Sequence, residues 1–203
     1  MATGDQELEI KFYLTDMPGL QARLEALGAR LLVPRGHELN LRFDTPAGDL
    51  SHSYQALRLR QDSAARLTYK GPGQIVGGVR ARREIEFIVS DFDAARSLFE
   101  ALGYQVYLIY EKYRATYELG GVLAVLDELP FGYFAELEGP DAESIRRAAA
   151  RLSLDWEARS LDSYTTLFDN LRLALGLTFT DLTFENFKGL NISAQTLALR
   201  PAD

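Results

Sequence analysis

Cysteine is absent from the 203-residue sequence, and histidine appears only as His37 and His52. The first absence excludes disulfides, thiolate nucleophiles and zinc–thiolate centres, and the second leaves too few imidazoles for a histidine-rich transition-metal centre. No apolar run approaches the about eighteen residues that a membrane-spanning helix requires, so no membrane partner is expected. Met1 to Gln6 is polar and acidic, without the basic start and apolar stretch of a secretory leader, and a cytoplasmic location is the expectation. Positive charge is in the minority: 22 Lys and Arg face 29 Asp and Glu, for a net charge of −7. That balance argues against nucleic acid as a partner but leaves room for a small basic pocket around a compact anion. Any metal should be a hard cation held by carboxylate oxygens.

Familiar nucleotide and hydrolase devices are missing too. "TYKGPG" has no G-x-x-x-x-G-K-[ST] spacing, and "GQIVGG" does not follow a strand and open a helix as a dinucleotide fingerprint does, so both read as turn glycines. No G-x-S-x-G elbow exists, and two histidines in strand and loop text make no Ser/His/Asp case.

What is present is a chain long enough, at 47% hydrophobic residues, to bury one sizeable core. "DMPGLQARLEALG" reads as a helix, with Leu20, Leu24 and Leu27 on one face, Thr15 or Asp16 as N-cap and Gly28 at its end. "DFDAARSLFEALG", "DAESIRRAAARL" and "SYTTLFDNLRLALG" are three more helices. After the opening "ELEIKFYL", strands are expected over Arg30 to Pro34, Glu38 to Phe43, Ala56 to Gln61, Arg66 to Lys70 and Arg82 to Val89. Further strands are Gln105 to Tyr117, Val122 to Leu126 and Phe134 to Leu137, separated by breaks such as "KGPGQ", "ELGG" and "ELPFG". The tail from Leu177 to Asp203 reads as a docked strap with a loose end, so the organisation is a domain over residues 1–176 followed by a tail over 177–203.

The chain repeats itself. "ELEIKFYL" leads through a helix ending in "EALG", "REIEFIVS" leads through a second helix ending in "EALG", and "AELEG" is a third E-x-E strand followed by a helix. An antiparallel sheet of two related halves, with helices packed outside, is the economical architecture. At least eight strands in an α+β chain can close into a barrel with an interior.

The strands share a further property. Glu7, Glu9 and Lys11 alternate with Leu8, Ile10 and Phe12; Arg58 and Arg60 with Leu57 and Leu59; Glu136 and Glu138 with Ala135 and Leu137. Arg66, Thr68 and Lys70 share a face, as do Arg80, Arg82, Glu84 and Glu86, and Lys112 with Arg114; Asp127 closes "VLAVLD". For a single strand such a pattern describes a wet outer face. If helices cover the apolar faces of the whole set, the charges must point into the barrel. Two inward carboxylates about 7 Å apart repel by roughly 2 kcal/mol at an effective dielectric near 20, so several together need cations. Carboxylates that hold a divalent ion beside Arg58, Arg60, Lys70, Lys112 and Arg114 suit a ligand combining several phosphates with Mg²⁺ or Mn²⁺.

"ELEIK", "LRLR", "TYKG", "RREIE", "EKYR", "LDELPFGYFAELEG" and a later "SY", in that order from Glu7 to Tyr164, resemble the CYTH proteins, the triphosphate tunnel metalloenzymes. The resemblance implies a closed eight-stranded antiparallel β-barrel, the triphosphate tunnel, with helices outside, and a small-molecule triphosphate as substrate. It also implies Mg²⁺ or Mn²⁺ and one of two activities. These are hydrolysis of tripolyphosphate, thiamine triphosphate or a nucleoside triphosphate, and cyclisation of ATP to cyclic AMP as in class IV adenylate cyclases. Whether the protein is a monomer or a homodimer is left open.

By the same resemblance, Glu7, Glu9 and Glu138 hold the metal that carries the triphosphate. Asp127 and Glu136 place a second ion or the attacking water. Glu84 and Glu86 either hold that ion or orient cations. Lys11, Arg58, Arg60 and Lys70 bind phosphate oxygens together with Arg82, Lys112 and Arg114, and Lys11, Asp127 and Glu136 are the catalytic set. Bacterial cyclases of the family carry a His-Phe element upstream of the first strand, which Met1 to Gln6 lacks, and this favours a triphosphatase over a cyclase; a module that binds polyphosphate without turnover is the third alternative. "HELNLRFD" places Glu38, Asn40 and Arg42 on one face of the second strand without a role. Tyr164 is read either as lining a tunnel mouth or as packing.

Overall fold

The computed structural model of the protein describes residues 6–203. Met1 to Asp5, most of the stretch in which the His-Phe element was sought, lie outside the described residues. β1 (Gln6–Leu14) buries Ile10, Phe12 and Leu14 on its apolar face. α1 (Met17–Ala26) starts where the Asp16 carboxylate accepts the Gly19 N–H at 2.9 Å, and it lays Leu20 and Leu24 over that face. β2 (Arg30–Asp44) and the short α2 (Asp49–His52) lead to β3 (Ala56–Gln61), β4 (Ala65–Val76) and β5 (Val79–Val89). α3 (Phe92–Ala101) then precedes β6 (Gln105–Leu119), β7 (Val122–Leu129) and β8 (Gly132–Glu138). α4 (Ala142–Arg151), the two-residue β9 (Arg159–Ser160) and α5 (Tyr164–Leu175) complete the elements.

The sheet runs β5-β4-β3-β2-β6-β7-β8-β1, with β9 added at β1, and β1 pairs back onto β5 so that eight antiparallel strands form a ring. Shifting every strand label by four turns this ring into itself read in the opposite sense. β1 pairs with β5 and β2 with β6, so the two "EALG" units occupy equivalent places and the repeat in the sequence is a repeat in the fold. Independently of the repeat, the Gly77–Gly78 turn after β4 and the Gly120–Gly121 turn after β6 each place two consecutive residues at positive φ, which a tight hairpin of this hand requires.

Three apolar clusters decide which way the faces point. α1 and α4 cover the outer side of β1, β7 and β8, with Leu20, Leu24, Ile145 and Ala149 against Ile10, Phe12 and Leu137. α3 covers the outer side of β2 and β3, with Phe92 and Phe99 against Leu41, Phe43 and Leu59. The third cluster joins Tyr13, Leu108, Phe134 and Leu129 to α5 and to Leu182, Phe187 and Leu197. By strand alternation those β residues share the face of Lys11, Lys112, Glu136 and Asp127. They therefore form an apolar plug inside one end of the ring, and α5 sits across that end rather than outside.

Several expectations need correction. Arg30 to Pro34 and Glu38 to Phe43 are one strand, with register shifts between Leu31 and Val33 and between Val33 and Gly36. β3 pairs only with Leu39 to Phe43, so Pro34 lies on an unpaired stretch of the strand edge and its missing N–H costs nothing there. "KGPG" does not end its strand either: β4 passes through it with a shift between Lys70 and Gly73. The tail has no loose end, because the Asp203 carboxylate accepts N–H bonds from Thr15 at 2.9 Å and Asp16 at 2.6 Å. Among the described residues no helix is long and apolar enough to cross a membrane.

Candidate active site

With the apolar faces covered, the alternating charges line the lumen, which contains a cavity of about 820 Å³. Pairing of β1 with β8 in the register Glu9↔Glu138 and Lys11↔Glu136 sets two E-x-E strands side by side. One oxygen each from Glu7, Glu9 and Glu138 then falls within 4.8 Å of the others. Three converging carboxylates, one of them buried, present the oxygen donors that a hard divalent ion takes.

Cations interleave with these acids. Lys11 Nζ lies 2.7 Å from Glu136 and 3.1 Å from Glu9, and Lys70 Nζ lies 2.7 Å from Glu7 and 3.0 Å from Glu84. Arg82 reaches Glu9 at 3.0 Å, while Arg58 and Arg60 meet Glu86 at 3.5 and 3.1 Å. Lys112 bridges Asp127 at 3.1 Å and Glu38 at 3.5 Å. Arg114 forks onto Asp127 at 2.6 and 2.5 Å and pairs with Glu136. The buried Nε groups of Arg42 and Arg58 and both amide atoms of Asn40 have no hydrogen-bond partner among the described residues, while Arg60 Nε lies 3.3 Å from Asp62. Unpaired donors next to a polar cavity mark places for ligand oxygens.

The charge states follow from this packing. Burial opposes ionisation of Glu7, but Lys70 and Arg82 outweigh it and hold its pKa near 2. Burial likewise opposes ionisation of Glu136, and Lys11, Arg114 and Lys112 hold it well below the carboxylate range. Lys11 would be neutralised by burial, yet Glu136 and Glu9 raise its pKa. Glu138 is pushed up to about 7 by burial and then by Glu136, and Glu84 to about 7 by burial and its bond to Glu7.

Glu38, 5% exposed, sits near pKa 2 because Lys112, Arg114 and Arg60 outweigh its burial. Its folded pKa lies below the unfolded one, so its contribution is complete above about pH 4.5 and is lost as the pH falls towards 2. In Glu38→Gln the acid-induced fall in stability over that window should shrink by on the order of 2–3 kcal/mol. Denaturant unfolding at pH 7 and pH 3 measures it.

The expected site residues divide. Glu7, Glu9, Lys11, Arg58, Arg60, Lys70, Arg82, Lys112, Arg114, Glu136 and Glu138 line the one cavity, together with Glu84 and Glu86. Asp127 does not line it: fully buried, its oxygens are taken by Arg114, Lys112 and the Tyr164 hydroxyl at 2.9 Å. That placement suits orientation of cations better than ligation of an ion. Glu84 and Glu86 lie outside the three-carboxylate group, Glu86 being held by Arg58, Arg60 and Thr68. Tyr164 packs on Phe134 in the plug and lines the cavity floor under Lys11, whose Nζ stands 5.3 Å from the ring centroid, rather than an open mouth.

Glu38, Arg42 and Tyr110 were missed as lumen residues with a role. Arg42 and Tyr110 line the cavity, and Tyr110 accepts from Arg58 at 3.3 Å. Their parity with Asn40 and Lys112 was the available signal.

Comparison with known proteins agrees with this geometry. A CYTH domain profile matches residues 5–161. Adenylate cyclase CyaB of Aeromonas hydrophila is 31% identical over 176 residues, covering 81% of this chain and 89% of the relative. The structure of a candidate adenylate cyclase from Vibrio parahaemolyticus superposes with a TM-score of 0.74 at 23% identity, over 82% of this chain and 99% of the other. A Hippeastrum protein, a candidate adenylyl cyclase described as revealing a dominant triphosphatase activity, superposes with a TM-score of 0.62 at 21% identity, over 80% and 95% of the two chains.

Proposed function

The chain belongs to the CYTH domain family, and on that premise we propose that it is a triphosphatase that removes the terminal phosphate of a small-molecule triphosphate inside its lumen. The observation that carries this is the lumen itself, where the Glu7–Glu9–Glu138 group adjoins seven paired cations and the unpartnered Nε donors of Arg42 and Arg58. Carboxylates alone suit a bare metal and cations alone suit a bare anion. The two together suit a phosphate chain with a divalent ion, Mg²⁺ or Mn²⁺.

Glu7, Glu9 and Glu138 would hold that ion, which supplies charge neutralisation and polarisation of phosphate oxygens. Lys11, Arg58, Arg60, Lys70, Arg82, Lys112 and Arg114 grip the chain. Lys11 and Arg114 stay charged because Glu136 and Asp127 face them, so they stabilise the charge that develops on the departing diphosphate without giving up a proton. Glu136, held ionised, orients Lys11 and Arg114. Phosphoryl transfer requires little beyond such positioning and neutralisation.

Cyclisation of ATP is the second reading, favoured by the cyclase name of the Aeromonas relative. The triphosphatase activity described for the Hippeastrum protein supports the first. Incubation with tripolyphosphate, thiamine triphosphate and ATP, each with Mg²⁺ or Mn²⁺, separates them: release of phosphate is expected. Cyclic AMP with diphosphate as the sole products would establish the cyclase instead.

A further inference from the structure

Beside the main cavity lies a second one of about 470 Å³, which shares Arg42, Ala56, Arg82, Ser163 and Thr165 with it. It opens past Tyr54, which is 83% exposed, and the Gly71–Pro72–Gly73 bulge of β4 forms part of its wall. Its charge differs from that of the inner cage. Inside, Lys11, Lys70, Lys112 and the lumen arginines 58, 60, 82 and 114 each have a carboxylate within ion-pair distance. In the outer cavity, Arg42, Arg80 and Arg172 stand against one carboxylate, Asp169, and Arg82, paired with Glu7 and Glu9 on its inner side, borders them. No carboxylate pairs with Arg42 or Arg80 among the described residues, and Arg172 reaches Asp169 only at 3.9 Å. The buried Nε groups of Arg42 and Arg172 have no hydrogen-bond partner.

Three guanidinium groups around a single carboxylate carry excess positive charge, and a bound anion relieves both that excess and the unpaired donors. We infer that the outer cavity is a distal anion subsite that holds the further phosphates of a linear inorganic polyphosphate whose first three sit in the inner cage. This rests on the cage being a triphosphate site and extends its substrate class to longer chains. The continuity of the two cavities through Arg42 and Arg82 gives the chain its path. A nucleoside fits less well. It is uncharged, and Tyr107, the aromatic ring beside Arg42, already faces that guanidinium, with its carbon 5.9 Å from the ring centroid.

The test is calorimetric binding of tripolyphosphate and of a longer linear polyphosphate in the presence of Mg²⁺. The native protein should bind the longer chain at least about tenfold more tightly. Arg80→Gln combined with Arg172→Gln should remove that advantage and leave tripolyphosphate binding within about twofold, the thermal midpoint confirming the fold. Equal affinity for both chains overturns the inference while the cage reading stands. Equal weakening of both chains in the double variant also overturns it. ATP bound more tightly than the longer chain, with the preference lost in Tyr107→Ala, would assign the cavity to a nucleoside. Failure of tripolyphosphate itself to bind overturns the cage reading and this inference together.

Discussion

Glu138→Gln is expected to lower metal-dependent turnover by about 100-fold or more and leave the fold intact. Glutamine keeps the volume and the hydrogen bonding of a carboxyl group. Glu138, raised to about 7 by burial and by Glu136, has no basic side chain paired with it among the described residues. Replacement therefore strands no buried cation and removes repulsion with Glu136, Glu7 and Glu9. The thermal midpoint should stay level or rise, while the concentration of Mg²⁺ or Mn²⁺ needed for half-maximal rate climbs. Unchanged turnover and metal requirement would show that an ion sits elsewhere. A fall in the midpoint matching the fall in rate would show a structural role only.

Asp127→Ala should act on stability first. Its carboxylate is fully buried and neutralises Lys112, Arg114 and the Tyr164 hydroxyl dipole at once. Removal leaves the buried Lys112 and the partly buried Arg114 each short of a partner, and breaking one side of such a group costs about 3–5 kcal/mol. Chemical denaturation should show that loss. Asp127→Asn, which keeps one oxygen acceptor, should lose less stability but still misplace Arg114 and depress kcat more than it raises KM. A variant with native stability and native kcat would remove Asp127 from the site's supporting structure.

The two substitutions differ for a reason that the strand pattern alone could not supply. Asp127 and Glu138 both belong to acidic strand ends of the same hairpin, in the register Leu123↔Glu138 and Asp127↔Phe134. Local sequence makes them look alike: Glu138 was expected to hold the metal of the triphosphate, and Asp127 a second ion or the attacking water. Only packing separates them. Asp127 stands where the plug formed by Phe134, α5 and the tail meets the cage, so it is sealed from the cavity. Glu138 stands at the open side beside Glu9, where the cavity reaches it.

Similar reasoning covers the smaller errors. Pro34 and Pro72 looked like strand breakers because proline lacks a ladder donor. The ring places Pro34 on an unpaired edge and Pro72 in a register shift, where no donor is required. Glu38 and Arg42 sat in plain view on the inner face of β2, but their value depends on partners from β3 and β6 that are distant in sequence.

Sequence by itself determined the alternation of charge with apolar residues, the helices with their caps, the doubled strand–helix unit and the ordered motifs that mark a CYTH chain. These are local properties, set by side-chain period and by backbone preferences of single residues. The direction in which the charges face was decided only by tertiary structure. Closure of β1 onto β5 makes an inside, and burial of Ile10, Phe12 and Leu137 under α1 and α4 turns the acids and bases towards it. Once there, in a lumen stopped at one end by α5 and the tail, each charge has the partner or the vacancy that its neighbours leave, and no strand carries that information alone.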